Sequence, residues 1–527
     1  MGRIHKSIWA ILHLLAIACV LMSLSTGLRI AILEYPFLLK LHNFLPQGEM
    51  HHLHLYSGWA LTIISIVYAG FIFRKLLPGL KQFSNNRFDQ TFHKILAIYL
   101  RINMVLLLAT GWLLFIEAFN TSLVKEIHFV AALGMLVYII LHGFGYFIQF
   151  GIQGILRIFK PVMFANQYVV LLMLSIGMVS CIVGWGVFEN THHKLNVLTV
   201  DSSIYLEMDG EASEAPWFEA KTLTLQTHGG ANFEDGSTNI AIKALQNGHE
   251  IFFHFRWEDS SESLAHLPLV KTVDGWKPKQ DGFYEFDEQT YYEDKFAVIV
   301  SDSCELNAAG TAHLGAQPLN DKPKPWHGAG YHYREQGIVD LWHWKAVRTN
   351  SMHLMDDNYI GQPVEPRAGD RRYTAGYHQD ARESGAYKMN WKWYTPDGIV
   401  PKRLPLDASQ LDPYQPDSKV KPQESPWILP WFGSQPYKSE NDTYPIGTVM
   451  PSILYTSNQF EGDRAHVRGF AKWQDGYWSL EVFRKLDTQS KTDIKIEDGV
   501  CIWVAAFDHA QVGHTRHVRP IKLEFKL

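Results

Sequence analysis

Every long apolar run in this 527-residue chain lies before about residue 189, and no other feature restricts its fold as strongly. Five runs are readable, approximately Ile8 to Leu33, His54 to Phe73, Ile95 to Phe115, Ile127 to Phe150 and Tyr168 to Phe188. Each is close to the ~20 residues that a helix needs to cross the hydrocarbon core of a bilayer. The first follows Arg3 and Lys6, as the core of a signal peptide would. It is longer than such a core and lacks an Ala-x-Ala-like exit, so it reads as retained. The expectation is a multidomain chain: a five-helix transmembrane bundle over residues 1–189, then an all-β sandwich outside the cytoplasm over 190–527.

Loop charges orient the bundle. Arg74, Lys75, Lys81, Arg87 and Lys94 follow the second span, and Arg157 and Lys160 follow the fourth. The other two loops are poor in Lys and Arg and carry Glu34, Glu49, Glu117 and Glu126. This predicts an inner-membrane protein with a cytoplasmic N-terminus and a C-terminal domain in the periplasm. The formal charge of −5 gives no sign of a nucleic-acid partner.

Four histidines lie in or at the edge of these spans: His13, His54, His128 and His142. A titratable ring in a span is costly, so it reads first as functional. His128 and His142 share one span, 14 residues apart (142 − 128). That spacing returns to nearly the same helix face about 21 Å further along. One helix thus offers a ligand near each membrane surface. With the N-terminus inside, His54 matches His128 in depth and His13 matches His142. Neutral imidazole is a good iron ligand, and the pairing predicts two haems b, each between two histidines. Gly58, one turn after His54, would leave room for a flat porphyrin. His51 and His52 read as interfacial residues, although either could replace His54.

Here the sequence resembles a family. "ILHLLAI", "HLYSGW", "TGWLLF" and "EIHFVAALGMLVYIILHGFG" look like the di-haem cytochrome b subunits of formate dehydrogenases and nickel–iron hydrogenases, over roughly residues 5–190. The resemblance implies that the four histidines ligate two haems and that quinone binds near the cytoplasmic-side haem. No residue here maps onto the quinone pocket.

After about Asn190 helical periodicity is lost. Strand-like runs take over at Lys221–Gln226, Thr238–Ala244, Glu250–Trp257, Phe296–Ser301, Tyr477–Arg484 and Gly499–Phe507, separated by turn-rich stretches. The Pro-rich, aromatic segment from about Asp397 to Pro451 reads as an ordered loop excursion. In "DLWHW", period two puts Trp342 and Trp344 on one sheet face and His343 on the other. The Trp pair reads as core or cofactor wall rather than a sugar-stacking platform. Cys304 and Cys501, each at the end or start of a strand-like run, are either bridged or two buried thiols. Cys19 and Cys181 read as packing residues within spans.

"IAIKALQNGHEIFFHFRWEDSSES", "GIVDLWHWKAVRTN", "WQDGYWSLEVFRKL" and "CIWVAAFDHAQVGHTRHVRPIKLEF" resemble the haem-binding domain of ethylbenzene dehydrogenase gamma subunits. That resemblance implies a β-sandwich holding one haem b between a Met and a Lys; other members attach haem through Cys-x-x-Cys-His. This chain has no Cys-x-x-Cys-His. Where the family places its two ligands, it offers "DSCELNAAGTAHLG" and "GHTRHVRPIKLEF". His313 and His517 are the expected pair, with His514, His327, Met352 and Met389 as competitors.

The expected function is that of a multi-haem b-type cytochrome, carrying electrons between quinone and a soluble redox partner in the periplasm. The alternative is a membrane-tethered module that binds a ligand, such as carbohydrate, without haem of its own.

Overall fold

The computed structural model describes residues 2–32, 35–46, 50–79, 88–116, 121–152, 177–178, 182, 193–281, 288–304, 332–334, 336–365, 374–379, 386–395, 398–419, 427–457, 460–517 and 519–526. The chain divides into two units, Met1–His192 and His193–Leu527.

In the first unit, runs of Leu, Ile and Ala form four helices: α1 Gly2–Ala31, α2 Met50–Gly79, α3 Phe88–Phe115 and α4 Thr121–Phe150. Pro36 opens a 3-10 segment after α1. Among the described residues, three stretches are long and apolar enough to cross a membrane: Leu12–Ala31, Lys94–Phe115 and Leu123–Ile148. The apolar part of α2, Leu53–Ala69, is shorter. The described residues therefore support three such spans and not the five expected. Of the fifth expected span only Gly177, Met178 and Ile182 are described, all helical.

The outward faces of the helices are apolar. Ile66, Ile102, Val105, Val130 and Ile148 are each roughly two-thirds exposed. Water would penalise such a surface, whereas lipid would not. Polar bonds join the helices in pairs. Ser23 and Ser57 share a hydrogen bond of 2.6 Å between α1 and α2, and the Asn103 amide donates to the Ala131 carbonyl at 3.0 Å between α3 and α4.

The second unit is built on a twelve-stranded sheet. Its strands in chain order are β1 His193–Thr199, β2 Leu223–His228, β3 Ser237–Gln246, β4 Glu250–Glu258, β5 Lys295–Ser301, β6 Val339–Lys345, β7 Asp356–Ile360, β8 Tyr377–Gln379, β9 Arg468–Gln474, β10 Tyr477–Lys485, β11 Cys501–Phe507 and β12 Ile521–Lys526. Spatially they run β8-β7-β6-β5-β11-β12-β1-β3-β4-β10-β9, with β2 paired to β3. Pairing is antiparallel except where β1 meets β12 and β3. The two halves of the sheet face each other. Trp257 on β4 stacks on Phe296 of β5 at 4.6 Å and meets Trp344 of β6 at 6.0 Å, although these strands are not neighbours in the sheet. Trp257, Trp342 and Trp344 are fully buried there, and His343 is on the opposite face of β6, as period two requires.

The Pro-rich segment has its own small core. Ile399, Leu404, Leu411, Leu429 and Met450 pack with Leu267, Leu269 and Trp276. A disulfide joins Cys304, just past β5, to Cys501 at the start of β11, which settles the choice that the sequence left open.

That bridge closes a loop of 197 residues in sequence separation. A loop of this size greatly restricts the unfolded chain. Cys501→Ser is expected to lower unfolding stability by about 2–5 kcal/mol in a denaturant titration followed by Trp fluorescence. An unchanged midpoint would contradict it.

Candidate functional site

His54 and His128 are brought together. Their rings, from α2 and α4, stand 6.2 Å apart between centroids with planes at 86°. Each Nδ1 is held by the helix that precedes its own. His54 Nδ1 is 3.0 Å from the Ser23 carbonyl oxygen and 3.1 Å from Thr26 Oγ1 on α1. A carbonyl oxygen only accepts, so Nδ1 carries the proton. His128 Nδ1 is 2.9 Å from Thr110 Oγ1 on α3. The Thr110 hydroxyl already donates to the Leu106 carbonyl at 2.7 Å, so here too Nδ1 is the donor. Both imidazoles are thereby fixed in the tautomer whose Nε2 lone pair is left for a metal.

Glycine makes room for each ring. A Cβ at Gly27 would lie 2.9 Å from His54 Cε1, and one at Gly111 would lie 3.3 Å from His128 Cε1. Thr26–Gly27 and Thr110–Gly111 are thus two equivalent cradles, each on the helix before its histidine. The histidine pattern did not reveal them. The signal was available in the repeated Thr-Gly of "STGL" and "ATGW".

Two imidazoles sharing one metal at about 2.0 Å would place their ring centres roughly 6.3 Å apart. The observed separation fits that arrangement, and so do two histidines that both keep Nε2 for coordination. Gly58 has open space within 4 Å of its would-be Cβ, as a site for a flat ring system requires. His13 and His142 are half-buried on α1 and α4. His142 stacks on Tyr138 at 5.1 Å and shares a hydrogen bond of 3.1 Å with its hydroxyl through Nδ1.

In the second unit, His517 is 5% exposed and both its ring nitrogens are engaged. Nε2 accepts the Val504 N–H at 3.0 Å, and Nδ1 donates to the Arg519 carbonyl at 2.7 Å. Ligation by Nε2 would mean giving up the Val504 bond. His313 and His327 lie outside the described residues. Met352 and Met389 pack against the buried Ile453–Tyr455 cluster. His514 binds the Thr515 carbonyl through Nδ1, and burial pushes its pKa down to about 4.

His343 stands out among the described histidines. Its ring is half-buried and stacks on Phe507 at 5.3 Å, and Phe507 in turn meets His514 at 5.0 Å. His343 Nε2 is sealed from solvent with no hydrogen-bond partner. Burial, with Lys345, Lys295 and Arg348 nearby, holds its pKa well below the usual histidine range, so the ring is neutral. Ala297 and Ala505 continue its row across β5 and β11, which leaves that face low beside it.

A family model for ethylbenzene dehydrogenase matches residues 213–519, more than half of the chain. No curated protein matches. Similar solved structures include a protein of Bacteroides uniformis provisionally assigned to carbohydrate binding, at 9% identity, TM-score 0.26 and coverage of 64% of this chain and 100% of that one. Another is a carbohydrate-binding module of family 9 from Caldicellulosiruptor kristjanssonii with glucose, at 7% identity, TM-score 0.23 and coverage of 63% and 97%. Likeness at that level carries neither fold nor ligand across.

The cradle can be tested without any ligand. Gly27→Ala forces its new methyl against the His54 ring and is expected to cost about 1–3 kcal/mol, seen as a lower unfolding temperature in detergent. Gly143→Ala, also with open space around it but with no part in the proposed sites, serves as the control and is expected to show no such loss. Equal behaviour of the two variants would sink the cradle.

Proposed function

The chain belongs to the ethylbenzene dehydrogenase family, and on that premise we propose that it is a membrane-anchored b-type cytochrome, moving electrons between the quinone pool and a redox protein outside the cytoplasm. The observation that carries this reading is the His54–His128 pair, with both Nδ1 atoms donating and a ring separation suited to one shared iron. His54 with His128 and His13 with His142 would each hold a haem b. Haem, when bound, supplies one-electron redox chemistry.

The residues have separable roles. Thr26 and Thr110 fix the tautomer and strengthen each imidazole as a donor. Gly27 and Gly111 admit the rings. The apolar helices keep water from the site and anchor the chain in lipid. The Cys304–Cys501 bridge favours an oxidising compartment for the second unit, in keeping with a periplasmic domain and a cytoplasmic N-terminus.

A third haem b is proposed for the second unit. His313 with His517 is the pair read from sequence, and His517 would have to exchange its Val504 bond to serve. His343 needs no such exchange, since its buried Nε2 is unpartnered. The carbohydrate-binding alternative gains nothing from Trp342 and Trp344, which are fully buried.

Haem content by pyridine haemochrome, on full-length protein in detergent, tests the reading. Wild type is expected to hold three haems b, all extractable by acid–acetone. His128→Ala or His54→Ala should remove one equivalent, and His142→Ala or His13→Ala another. A folded His128→Ala protein with full haem content would refute the pairing. For the second unit, His343→Ala and His517→Ala are compared with wild type. The ligand is the residue whose loss removes one low-spin haem equivalent of the three, and loss in neither variant rules out both.

A further inference from the structure

Three carboxylates cap the ends of three strands at one place in the second unit. Asp259 follows β4, Asp294 precedes β5, and Asp508 follows β11, with His509 next in the chain. Because Lys295 pairs with Phe507, Asp294 and Asp508 emerge side by side from neighbouring strands. Ligand atoms of Asp294, Asp508 and His509 all lie within 4.8 Å of one another. The three acids are 2%, 0% and 3% exposed in chain order.

Several other buried carboxylates in this unit meet cations. Lys345 and Arg464 pair with Asp356, Arg348 pairs with Glu293, and Arg484 pairs with Asp340 and Asp493. Among the described residues, no lysine or arginine is ion-paired with Asp259, Asp294 or Asp508. Lys295, adjacent to Asp294, donates instead to the Gln511 carbonyl at 2.8 Å and lies over the Phe507 ring.

Asp294 is well satisfied as an anion. Its Oδ1 accepts the His509 N–H at 2.8 Å, and its Oδ2 accepts the Ser263 N–H at 2.7 Å and the Trp478 indole N–H at 3.2 Å. Those donors favour the ionised form, against burial and the nearby Asp259 charge, which together hold the Asp294 carboxyl well above the usual carboxylate range. Asp508 shares a short hydrogen bond with the His509 Nδ1. Asp259 is different. Its Oδ1 accepts the Ser261 N–H at 3.1 Å, but its Oδ2 is sealed from solvent without any hydrogen-bond partner. It lies outside the three-residue group yet near enough to feel its charge: Asp508 exerts the largest charge effect on Asp259, and Asp259 the largest on Asp294. Burial and this repulsion push the Asp259 carboxyl up to about 8.

A buried group of carboxylates needs protons or a positive ion to cancel its charge. We propose that Asp294, Asp508 and His509 bind one divalent cation, and that the unpartnered Asp259 Oδ2 turns in to complete its shell, which ties the end of β4 to the ends of β5 and β11. Three carboxylate oxygens and one imidazole nitrogen suit Mn2+ or Zn2+. The ion would join the two facing halves of the sheet, because β4 belongs to one half and β5 and β11 to the other. Nothing in this site depends on haem.

The test uses full-length protein in detergent, stripped with EDTA and then titrated with Mn2+. The room-temperature electron paramagnetic resonance signal of free Mn2+ reports binding, and competition with Zn2+ reports sharing of the site. Expected results are one Mn2+ per chain, displacement by Zn2+, and an unfolding temperature raised by either ion. Asp259→Asn should weaken binding at least tenfold, and His509→Ala, at a half-buried position that should not compromise folding, should weaken it less. The stripped wild type should also unfold at a lower temperature than the loaded one. Failure of the stripped wild type to take up either ion overturns the proposal. So does unchanged uptake by both variants, which would place the ion elsewhere. If Asp259→Asn binds nothing and yet unfolds at a higher temperature than loaded wild type, the pocket is held by protons and the proposal also falls.

Discussion

The helical half depends on a relay of hydrogen bonds that ends at a backbone carbonyl. A threonine one turn along its helix donates to the carbonyl of the residue four before it, Met22 for Thr26 and Leu106 for Thr110. Its oxygen is then free only to accept, and the facing histidine must donate. This local bond, available to any helical threonine, becomes a device when glycine follows and lets an imidazole approach. α1 acts on α2 and α3 acts on α4 in the same way, so the four helices behave as two similar hairpins whose histidines meet at 6.2 Å. In a low-dielectric setting such a fixed tautomer is far more decisive than in water.

The β unit uses a different constraint. Its core is aromatic and dry, with Trp257, Trp342, Trp344 and Trp478 all buried, and the facing halves of the sheet meet through those rings. Charge is pushed to the strand ends and to the outer face of β6, where Lys345 and Asp356 pair. His343 sits on that same outer face between the two regimes, with an apolar ring against it and cations nearby. Alternation along one strand thus separates packing from chemistry.

Sequence showed much of this, and where it did not the reason is physical. The strand runs Glu250–Trp257, Phe296–Ser301 and Tyr477–Arg484 were legible because alternating or β-branched stretches of that length have few other folds; the observed strands extend them by one residue. Tyr377–Gln379 and the other three-residue strands are too short to carry a period. The depth match of His54 and His128 followed from charge bias and helix rise. The Thr-Gly cradles did not, because their meaning lies in what faces them. His517 looked like a ligand from its place near the C-terminus, yet its ring is engaged by the Val504 and Arg519 backbone, which sequence cannot show. The carboxylates at 259, 294 and 508 were invisible as a group, since only the sheet order brings them together.

The central claim is that His54 and His128 ligate one iron with their rings nearly perpendicular. Low-temperature electron paramagnetic resonance of the oxidised full-length protein tests that geometry most directly. Two imidazoles crossed at 86° that held one ferric iron would give a low-spin signal with one strongly shifted, highly anisotropic low-field feature. The account predicts that feature in wild type and its loss in His128→Ala. A spectrum with only high-spin iron, or an anisotropic signal of undiminished intensity in folded His128→Ala protein, would contradict it.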